Sequence, residues 1–324
     1  MSASYLFHVE TIMETMKAVR IHRFGGPEVL TYEDAPRPRI AEDDLLVRVH
    51  AAGVNPVDWK IREGRLQQFL QHKLPLVLGW DFSGVVEEVG SAVEGFKPGD
   101  EVYARPDIRR DGAYAEFIAV RAREVARKPQ TLGHLHAAAV PLAAITAWDA
   151  LIKTARIEAG QRVLIHAAAG GVGHFAVQFA RWKGAYVIGT ASSANHELVR
   201  ALGANEVIDY RAERFEEKVS DVDVVFDTVG GDVQRRSWSV LKKGGMLVSI
   251  VERPSEEVAK EHGVRAAYIF IEPDAEVLRR VAELIDAGVV KPVVENVFAL
   301  SEARRAHELS QSGHARGKIV LRVI

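Results

Sequence analysis

The spacing of apolar and polar positions divides the first part of the chain into short strands. Alternating residues at 45–51, 84–89 and 112–120 are typical of half-buried strands, and turn signals separate them. A Pro-Gly pair within 96–103 adds a reversal before a further strand, because proline fixes φ and glycine permits the turn. Short strands at this spacing predict an all-β, barrel-like module.

The middle of the chain has a different pattern, in which continuous apolar runs alternate with helical periodicity. Helical spacing covers 172–183 and 195–202. The strand-like runs lie at 160–167, 185–190, 203–209, 222–227 and 245–250. Buried strands that alternate with helices indicate βαβ units and therefore a parallel sheet. The fold class predicted for the chain is α/β.

The pattern changes again near residue 272. It predicts two further helices and two strands, at 274–287, 295–300, 302–311 and 318–323. We expect these elements to return to the first module. The predicted domains are a split β-module at 16–140 and 273–324 and an inserted α/β domain at 141–272. Residues 1–15 precede the first strand pattern and are expected to form a partly disordered extension.

Composition and charge exclude several classes of function. The chain carries 42 Lys and Arg against 44 Asp and Glu, a net charge of −2, so no basic excess is available to bind nucleic acid. The basic clusters at 105–110 and 121–127 are interpreted as solvated loops. The chain has no cysteine, which excludes disulfides, thiolate metal sites and a cysteine nucleophile.

The sequence pattern predicts neither a membrane-spanning helix nor a secretory signal. No apolar run approaches the ~18–20 residues of a membrane-spanning helix. Residues 1–15 have no cationic start followed by a long apolar stretch, so they do not resemble a secretory signal. We therefore expect a cytoplasmic protein with no membrane or nucleic-acid partner.

A glycine cluster between a predicted strand and a predicted helix is the strongest single motif. Gly171-x-Gly173-x-x-Ala176 fits the dinucleotide-binding fingerprint G-x-G-x-x-G/A. Gly171 permits a tight turn, Gly173 lets backbone approach a pyrophosphate, and Ala176 lets helix and strand pack closely. The helix N-terminus that follows offers unpaired N–H groups to phosphate. We expect Gly170 and Val172 to contact the cofactor with them.

The residues after the next strand favour NADPH over NADH. A carboxylate is expected there in an NAD site, but Ser192 and Ser193 occupy the position, and hydroxyls can donate to a 2′-phosphate. The two serines can equally cap the following helix, and both roles are compatible. Tyr210 and Arg211 are candidates to contact the adenosine end, although Arg211 can also be a surface charge.

Several segments together resemble the quinone oxidoreductase (zeta-crystallin-like) family of medium-chain dehydrogenases and reductases. The resemblance covers 16–324, and its landmarks lie at 52–64, 75–86, 224–231 and 317–321. The most specific match is the run Gly160-Gln161-x-x-Leu164-x-x-x-Ala168-Ala169-Gly170-Gly171-x-Gly173-x-x-x-x-Gln178-x-x-Arg181. The resemblance implies a GroES-like β-barrel-type catalytic domain joined to a Rossmann doubly wound dinucleotide-binding domain.

The same resemblance argues against a zinc site. In zinc alcohol dehydrogenases of this superfamily, two cysteines and a histidine hold the catalytic metal. Asn55, Trp80 and Leu142 stand at those positions here, and none is a good zinc ligand. The four-cysteine structural lobe is absent too. We expect no metal site, with the histidines at 134, 136, 307 and 314 at surfaces or in helix caps.

The resemblance implies hydride transfer from NADPH to a quinone or to the β-carbon of an α,β-unsaturated carbonyl. Asn55 is expected to donate its amide to the substrate oxygen or to hold the cofactor. Lys60 stands where related reductases often carry a tyrosine; it is either an electrophile or proton donor, or a surface lysine. Trp80 is either an apolar wall for a flat substrate or a core residue. Asp58 and Asp81 are expected to be structural.

Further residues are expected to line the cofactor site, and a homodimer is expected to form. The expected cofactor contacts are Thr146, Ile250, Phe270 and Lys318. The run 267–271 is expected to be the last strand of the parallel sheet, with an apolar edge that pairs two subunits. Two other functions remain open: an enoyl-thioester reductase, and an NADPH-binding sensor or structural protein with little turnover.

Overall fold

The computed structural model describes residues 14–324, so the predicted extension lies, up to residue 13, outside the described residues. The strands are β1 (Thr15–Ile21), β2 (Leu30–Pro36), β3 (Asp44–Val54), β4 (Leu76–Val77), β5 (Phe82–Val89), β6 (Glu101–Ala104), β7 (Phe117–Arg121), β8 (Val125–Arg127), β9 (Arg162–Ile165), β10 (Tyr186–Ala191), β11 (Glu206–Asp209), β12 (Val222–Asp227), β13 (Leu241–Ser249), β14 (Arg265–Tyr268), β15 (Val294–Ala299) and β16 (Lys318–Arg322).

The helices follow the same alternation along the chain. They are α1 (Pro56–Arg62), α2 (Gln67–Leu70), α3 (His134–Ala137), α4 (Pro141–Trp148), α5 (Gly173–Trp182), α6 (His196–Ala201), α7 (Gly231–Ser237), α8 (Glu256–His262), α9 (Ala275–Asp286) and α10 (Ala303–Gln311). A π-helical segment, Asp149–Thr154, continues α4.

The first and last parts of the chain build a seven-stranded sheet. Its strand order is β15-β16-β3-β5-β6-β8, and β7 also pairs with β3. Residues of β3 pair with β5, β7 and β16, all antiparallel. Ile319 of β16 lies opposite Val54, which returns the end of the chain to the first module. A smaller antiparallel sheet, β2-β1-β4, shares its apolar core.

The middle of the chain builds a parallel six-stranded sheet in the order β11-β10-β9-β12-β13-β14. Counted from β9, this is the order 3-2-1-4-5-6 of doubly wound dinucleotide-binding folds. Apolar clusters cover both faces of the sheet. The strand order reverses between β9 and β12, and such sheets bind ligands beyond the carboxyl ends at this switch point. The predicted α/β fold class is confirmed.

Two predicted strands are shorter than the sequence pattern indicates. Of the run 112–120, only the part from Phe117 onward is strand. The residues before it cross another loop instead: Gly112 N–H donates to the Val77 carbonyl at 2.8 Å, and Tyr114 N–H to the Leu78 carbonyl at 2.9 Å. The run 267–271 leaves the sheet after residue 268, so its last residues are free to line a site.

One helical stretch within the described residues, 134–154, is long and apolar enough to cross a membrane by length and composition alone. Polar residues interrupt its apolar run, so the sequence pattern does not predict it. In the fold, 67% of its most apolar window is buried, as in the core helix of a globular protein. Its apolar residues pack against α5 and α9.

Candidate functional site

A cavity of about 680 Å³ lies where the two large sheets meet, within the usual size range of ligand sites. The loops after β9, β12 and β13 form one wall, and the β3–α1 segment, α4 and the start of β16 form another. Ten of the predicted site residues line it: Asn55, Lys60, Thr146, Gly170, Gly171, Val172, Gly173, Ile250, Phe270 and Lys318. The fold thus brings together residues that are as much as 263 positions apart in the chain.

The glycine loop, residues 167–173, lies between a strand and a helix as predicted. The roles of its glycines in the turn differ from those predicted from the sequence. The left-handed turn residue is Ala167, with a φ of +49°, and not Gly171. A Cβ on Gly173 would lie 2.2 Å from the Ala167 carbonyl oxygen, so this glycine lets α5 begin directly against the loop. A Cβ on Gly171 would lie 3.2 Å from Cδ of Lys318, a flexible side chain.

Gly173→Ala is predicted to displace the loop and weaken NADPH binding by about tenfold or more, because overpacking against backbone costs ~1–3 kcal/mol. Calorimetric titration and thermal unfolding measure the two effects. Gly133→Ala is the matched control, since no atom lies within 4 Å of a Cβ built there. Equal NADPH affinity in both variants would show that the Gly173 contact does not shape the site.

A buried cluster of charged and polar groups lies beside the glycine loop. The Lys318 ammonium donates to the Val54 carbonyl at 3.3 Å, to Oδ1 of Asn55 and to Oδ2 of Asp81 at 3.1 Å. Asn55 Nδ2 donates to the same Asp81 oxygen at 2.8 Å, and Leu142 N–H donates to the other at 2.6 Å. Burial raises the pKa of the Asp81 carboxyl although the ammonium opposes the shift.

This cluster determines what Lys318 and Asn55 can do. An ammonium has three donors, and all three of Lys318 are engaged within the protein, so its alkyl stem and not its charge faces Gly171. Lysine can only donate, so the Asn55 atom beside it must be the amide oxygen. The orientation of the amide is therefore fixed, and Asn55 keeps one N–H that is not used by Asp81.

A second buried network extends from Asn55 into the β-module. Asp58 Oδ2 accepts from Asn55 N–H at 2.7 Å and from the Tyr114 hydroxyl at 2.9 Å, while Asp58 Oδ1 is buried and has no hydrogen-bond partner within residues 14–324. Burial, with a contribution from the Asp81 charge, raises the pKa of Asp58 to about 7. Asp58 is therefore about half protonated near neutral pH, and it contacts the cavity-lining residue Asn55 directly.

The far end of this network corrects the interpretation of one histidine. His307 is fully buried and not at a surface or in a cap: its Nδ1 lies 3.1 Å from Nη1 of Arg62, and its Nε2 lies 3.3 Å from the Tyr114 hydroxyl. Burial and the adjacent Arg62 charge lower the pKa of His307 to about 3, so the imidazole is neutral. It therefore accepts a hydrogen bond from Arg62.

The raised pKa of Asp58 predicts a pH-dependent stability. Between pH 3.8, the ordinary carboxyl value, and about 7, folded Asp58 retains a proton that the unfolded chain releases. Its contribution to the free energy of unfolding is therefore greatest below pH 3.8 and falls with rising pH, by up to about 1.4 kcal/mol per pH unit.

Asp58→Asn is expected to remove that slope, measured by chemical denaturation at pH 4 to 8. The amide keeps an acceptor oxygen for Asn55 N–H and Tyr114. Asp43→Asn, at an exposed carboxyl, is the control and is expected to retain the wild-type slope. A slope in Asp58→Asn that matches the wild type would contradict the assignment.

Lys60 lies on α1 and lines the cavity in a half-buried position. Its ammonium is 5.7 Å from the centre of the Trp59 ring. Burial lowers the pKa of Lys60, and repulsion from Arg65 lowers it further. A lysine with a lowered pKa releases its proton more readily, which suits a proton donor.

Trp80 does not lie where a substrate wall requires it. The side chain is fully buried, its Nε1–H donates to the Arg110 carbonyl at 3.1 Å, and its ring stacks on His72. It is not among the residues that line the cavity. Of the two predicted roles, Trp80 has that of a core residue, because its large aromatic ring packs inside the β-module with its N–H hydrogen-bonded.

The predicted nucleotide end lies apart from the cavity lining. Ser192 and Ser193 follow β10, and Tyr210 follows β11 with 54% of its surface exposed. No carboxylate directly follows β10 in the sequence, but Asp209 from the neighbouring strand lies beside the serines. Its oxygens accept from Ser193 N–H at 3.2 Å and from Arg211 N–H at 3.0 Å, and these bonds lower the pKa of Asp209.

Sequence analysis missed one charged residue of the cavity. Arg105 belongs to a cluster interpreted as a solvated loop, yet it is only 2% exposed and lines the cavity. It directly follows β6, whose last three residues are buried. An arginine immediately after a buried strand was the available signal. The hydroxyl of Thr146, another residue of the cavity, already donates a hydrogen bond within the protein, to the Leu142 carbonyl at 2.7 Å.

The residues at the zinc-ligand positions of the superfamily do not fit zinc. The Asn55 amide is bonded to Lys318 and Asp81, and Trp80 is a core side chain. The side chain of Leu142 has no atom that can bind a metal ion. Across residues 14–324, no group of three or more His, Cys, Asp or Glu side chains is arranged to hold a metal ion.

Two family descriptions match the chain. Residues 41–130 match the alcohol dehydrogenase GroES-like domain, and residues 202–321 match the family described as zinc-binding dehydrogenase. The chain is similar over 96% of its length to the solved quinone oxidoreductase from Coxiella burnetii, with 39% identity, a TM-score of 0.90 and all of that chain covered.

Curated relatives span nearly the whole chain. NAD(P)H oxidoreductase RTN4IP1, mitochondrial, from Danio rerio is 34% identical, with 95% of this chain and 92% of the relative covered. NADPH-dependent alkenal/one oxidoreductase, chloroplastic, from Arabidopsis thaliana is 36% identical, with 96% and 80% covered. The cytoplasmic location expected from the sequence is contradicted, because both relatives are named as organellar proteins.

Proposed function

Because this chain belongs to the quinone oxidoreductase-like family of medium-chain dehydrogenases and reductases, we propose that it reduces quinones or α,β-unsaturated carbonyl compounds with NADPH and without zinc. The observation that carries the proposal is the cavity, in which a dinucleotide-binding glycine loop faces Asn55 and Lys60. The Arabidopsis relative acts on alkenals and alkenones with NADPH, as its name states, and the Coxiella relative is a quinone oxidoreductase.

The cofactor fits the residues present. The glycine loop lines the cavity, and within the described residues the N–H groups of Gly171, Val172 and Gly173, at the start of α5, have no hydrogen-bond partner and are available to phosphate. Ser192, Ser193 and Tyr210 would hold the adenosine end, and Thr146, Ile250 and Phe270 the nicotinamide end. When bound, NADPH supplies the hydride.

The remaining chemistry belongs to side chains of this protein. An enone or quinone spreads the incoming negative charge over a conjugated system and onto its oxygen. The free N–H of Asn55, held in place by Lys318 and Asp81, donates to that oxygen. Lys60 then supplies the proton that completes the reduction. Neither step requires a metal Lewis acid.

Turnover is the direct test of the proposed reaction. The protein is expected to oxidise NADPH, followed by its absorbance, when 1,4-benzoquinone or a simple enone is present. The rate is expected to be unchanged after incubation with a strong zinc chelator. Tight NADPH binding with no turnover of either class of acceptor would contradict the proposal and favour a sensor or structural protein.

Lys60→Met is predicted to lower kcat about 100-fold, the usual effect of losing a general acid, with little change in NADPH affinity. Since the protonated lysine is the active form, kcat of the wild type should fall as pH rises through a pKa below 10.5. In Lys60→Met, kcat should not show this fall with rising pH. Lys73→Met, at an exposed lysine, is the control. An unaltered pH profile in Lys60→Met would assign the proton to another group.

A homodimer is part of this proposal. β14 is the last strand in the order of the parallel sheet, so one of its edges is available for a second copy. Ala266, Ala267 and Tyr268 of this strand are only partly buried in the single chain. An unpaired strand edge of this kind favours association between identical subunits.

A further inference from the structure

Arg105 is a buried cation that the protein does not neutralise. Its Nε and Nη1 atoms are buried and have no hydrogen-bond partner among the described residues. Arginine stays protonated in proteins, so the positive charge persists although burial lowers the pKa of Arg105. A buried charge without a partner is costly and calls for an anion or a strong acceptor.

The carboxylates that act on Arg105 are already paired with other cations. Glu272 lies 3.6 Å from Arg109, and Asp107 and Glu124 each lie 3.0 Å from Arg121. Asp81, the fourth, is bonded to Lys318. The protein therefore places a guanidinium in the cavity wall while each of these four carboxylates is paired with another cation.

Arg105 and the glycine loop enter the cavity from different sheets. Arg105 follows β6 of the seven-stranded sheet, whereas the glycine loop follows β9 of the parallel sheet. Lys318 is the cation that adjoins Gly171, and its donors are used internally. Leu142 and Phe270 line the same cavity and provide apolar surface for the rest of a small molecule.

We propose that Arg105 binds a carboxylate carried by the acceptor, so that the site prefers enones and quinones that bear an acidic group. This inference rests on the proposed reductase function. Arg105 Nε and Nη1 are fully buried, so the remaining terminal nitrogen, Nη2, is the one that meets a ligand, and its charged N–H groups favour a carboxylate oxygen. The surrounding carboxylates oppose a phosphate dianion more strongly than a monoanion.

The reaction expected for such an acceptor is balanced. In a 4-oxo-2-enoate, hydride from NADPH adds to one carbon of the C2=C3 double bond, and a proton adds to the other. The products are the saturated 4-oxo acid and NADP⁺. The carboxylate keeps its charge throughout, so its pairing with Arg105 persists from substrate to product.

The test compares (E)-4-oxopent-2-enoate with its methyl ester as acceptors at saturating NADPH. The wild type is expected to favour the acid in kcat/KM by about tenfold or more. Arg105→Gln should abolish that preference, a loss of about tenfold or more, and Arg105→Lys, which keeps the charge, should reduce it by less. Arg39→Gln removes an exposed arginine that does not line the cavity and should leave the preference unchanged.

The outcomes separate this inference from the proposed function. If the ester is reduced as well as the acid, the reductase function stands and the carboxylate inference fails. If neither is reduced, the reductase function fails, and binding of 4-oxopentanoate to the NADP⁺ complex decides the inference by itself. That binding, followed as a thermal shift, is expected in the wild type and not in Arg105→Gln.

Two further measurements exclude other roles for Arg105. If the arginine held the cofactor, Arg105→Gln would weaken NADPH binding, whereas we expect the affinity to change less than about threefold. If the arginine stabilised the fold, Arg105→Gln would lower the melting temperature. We expect it to rise, because an unpaired buried charge is removed. Either contrary result would overturn the inference.

Discussion

The buried ammonium of Lys318 is the contact on which the site depends. β16 returns the end of the chain beside β3, and the first residue of β16 then bonds to Val54, Asn55 and Asp81. The preceding residue, Gly317, donates its N–H to the Ala169 carbonyl in the glycine loop at 2.8 Å. Gly317 and Lys318 thus connect the two large sheets by hydrogen bonds at the cavity.

The charges around the cavity differ in how far the protein compensates them. Lys318 and Asp81 neutralise each other and hold the Asn55 amide in one orientation. Asp58 carries less buried negative charge than an ordinary carboxyl, because burial raises its pKa to about 7. Arg105 has no paired carboxylate among the described residues, and an arginine does not lose its proton. Buried polar groups without a partner are concentrated at functional sites, where a ligand can pair with them. The polar interior is therefore built for positioning rather than for stability.

Sequence patterns predict the architecture because periodicity and glycine spacing are local. Alternating strands and helices predict that the sheet is parallel, and the glycine loop is identified by its position between a strand and a helix. The role of Gly173 could not be predicted in the same way, because its close neighbour, the Ala167 carbonyl, depends on how the loop folds back.

The charged side chains of the site were harder to predict, since their surroundings come from distant parts of the chain. Arg105 lies in a run rich in basic and acidic residues that is typical of a surface loop, and only the packing of β6 buries it. Asp209 reaches the serines after β10 through sheet pairing that no local pattern encodes. Trp80 and His307 are core residues for the same reason.

The central claim is that NADPH binds in this cavity against the glycine loop. Calorimetric titration of the purified protein with NADPH, and separately with NADH, tests it most directly. The account predicts one saturable site per chain and tighter binding of NADPH than of NADH. No saturable binding of either nucleotide would contradict it.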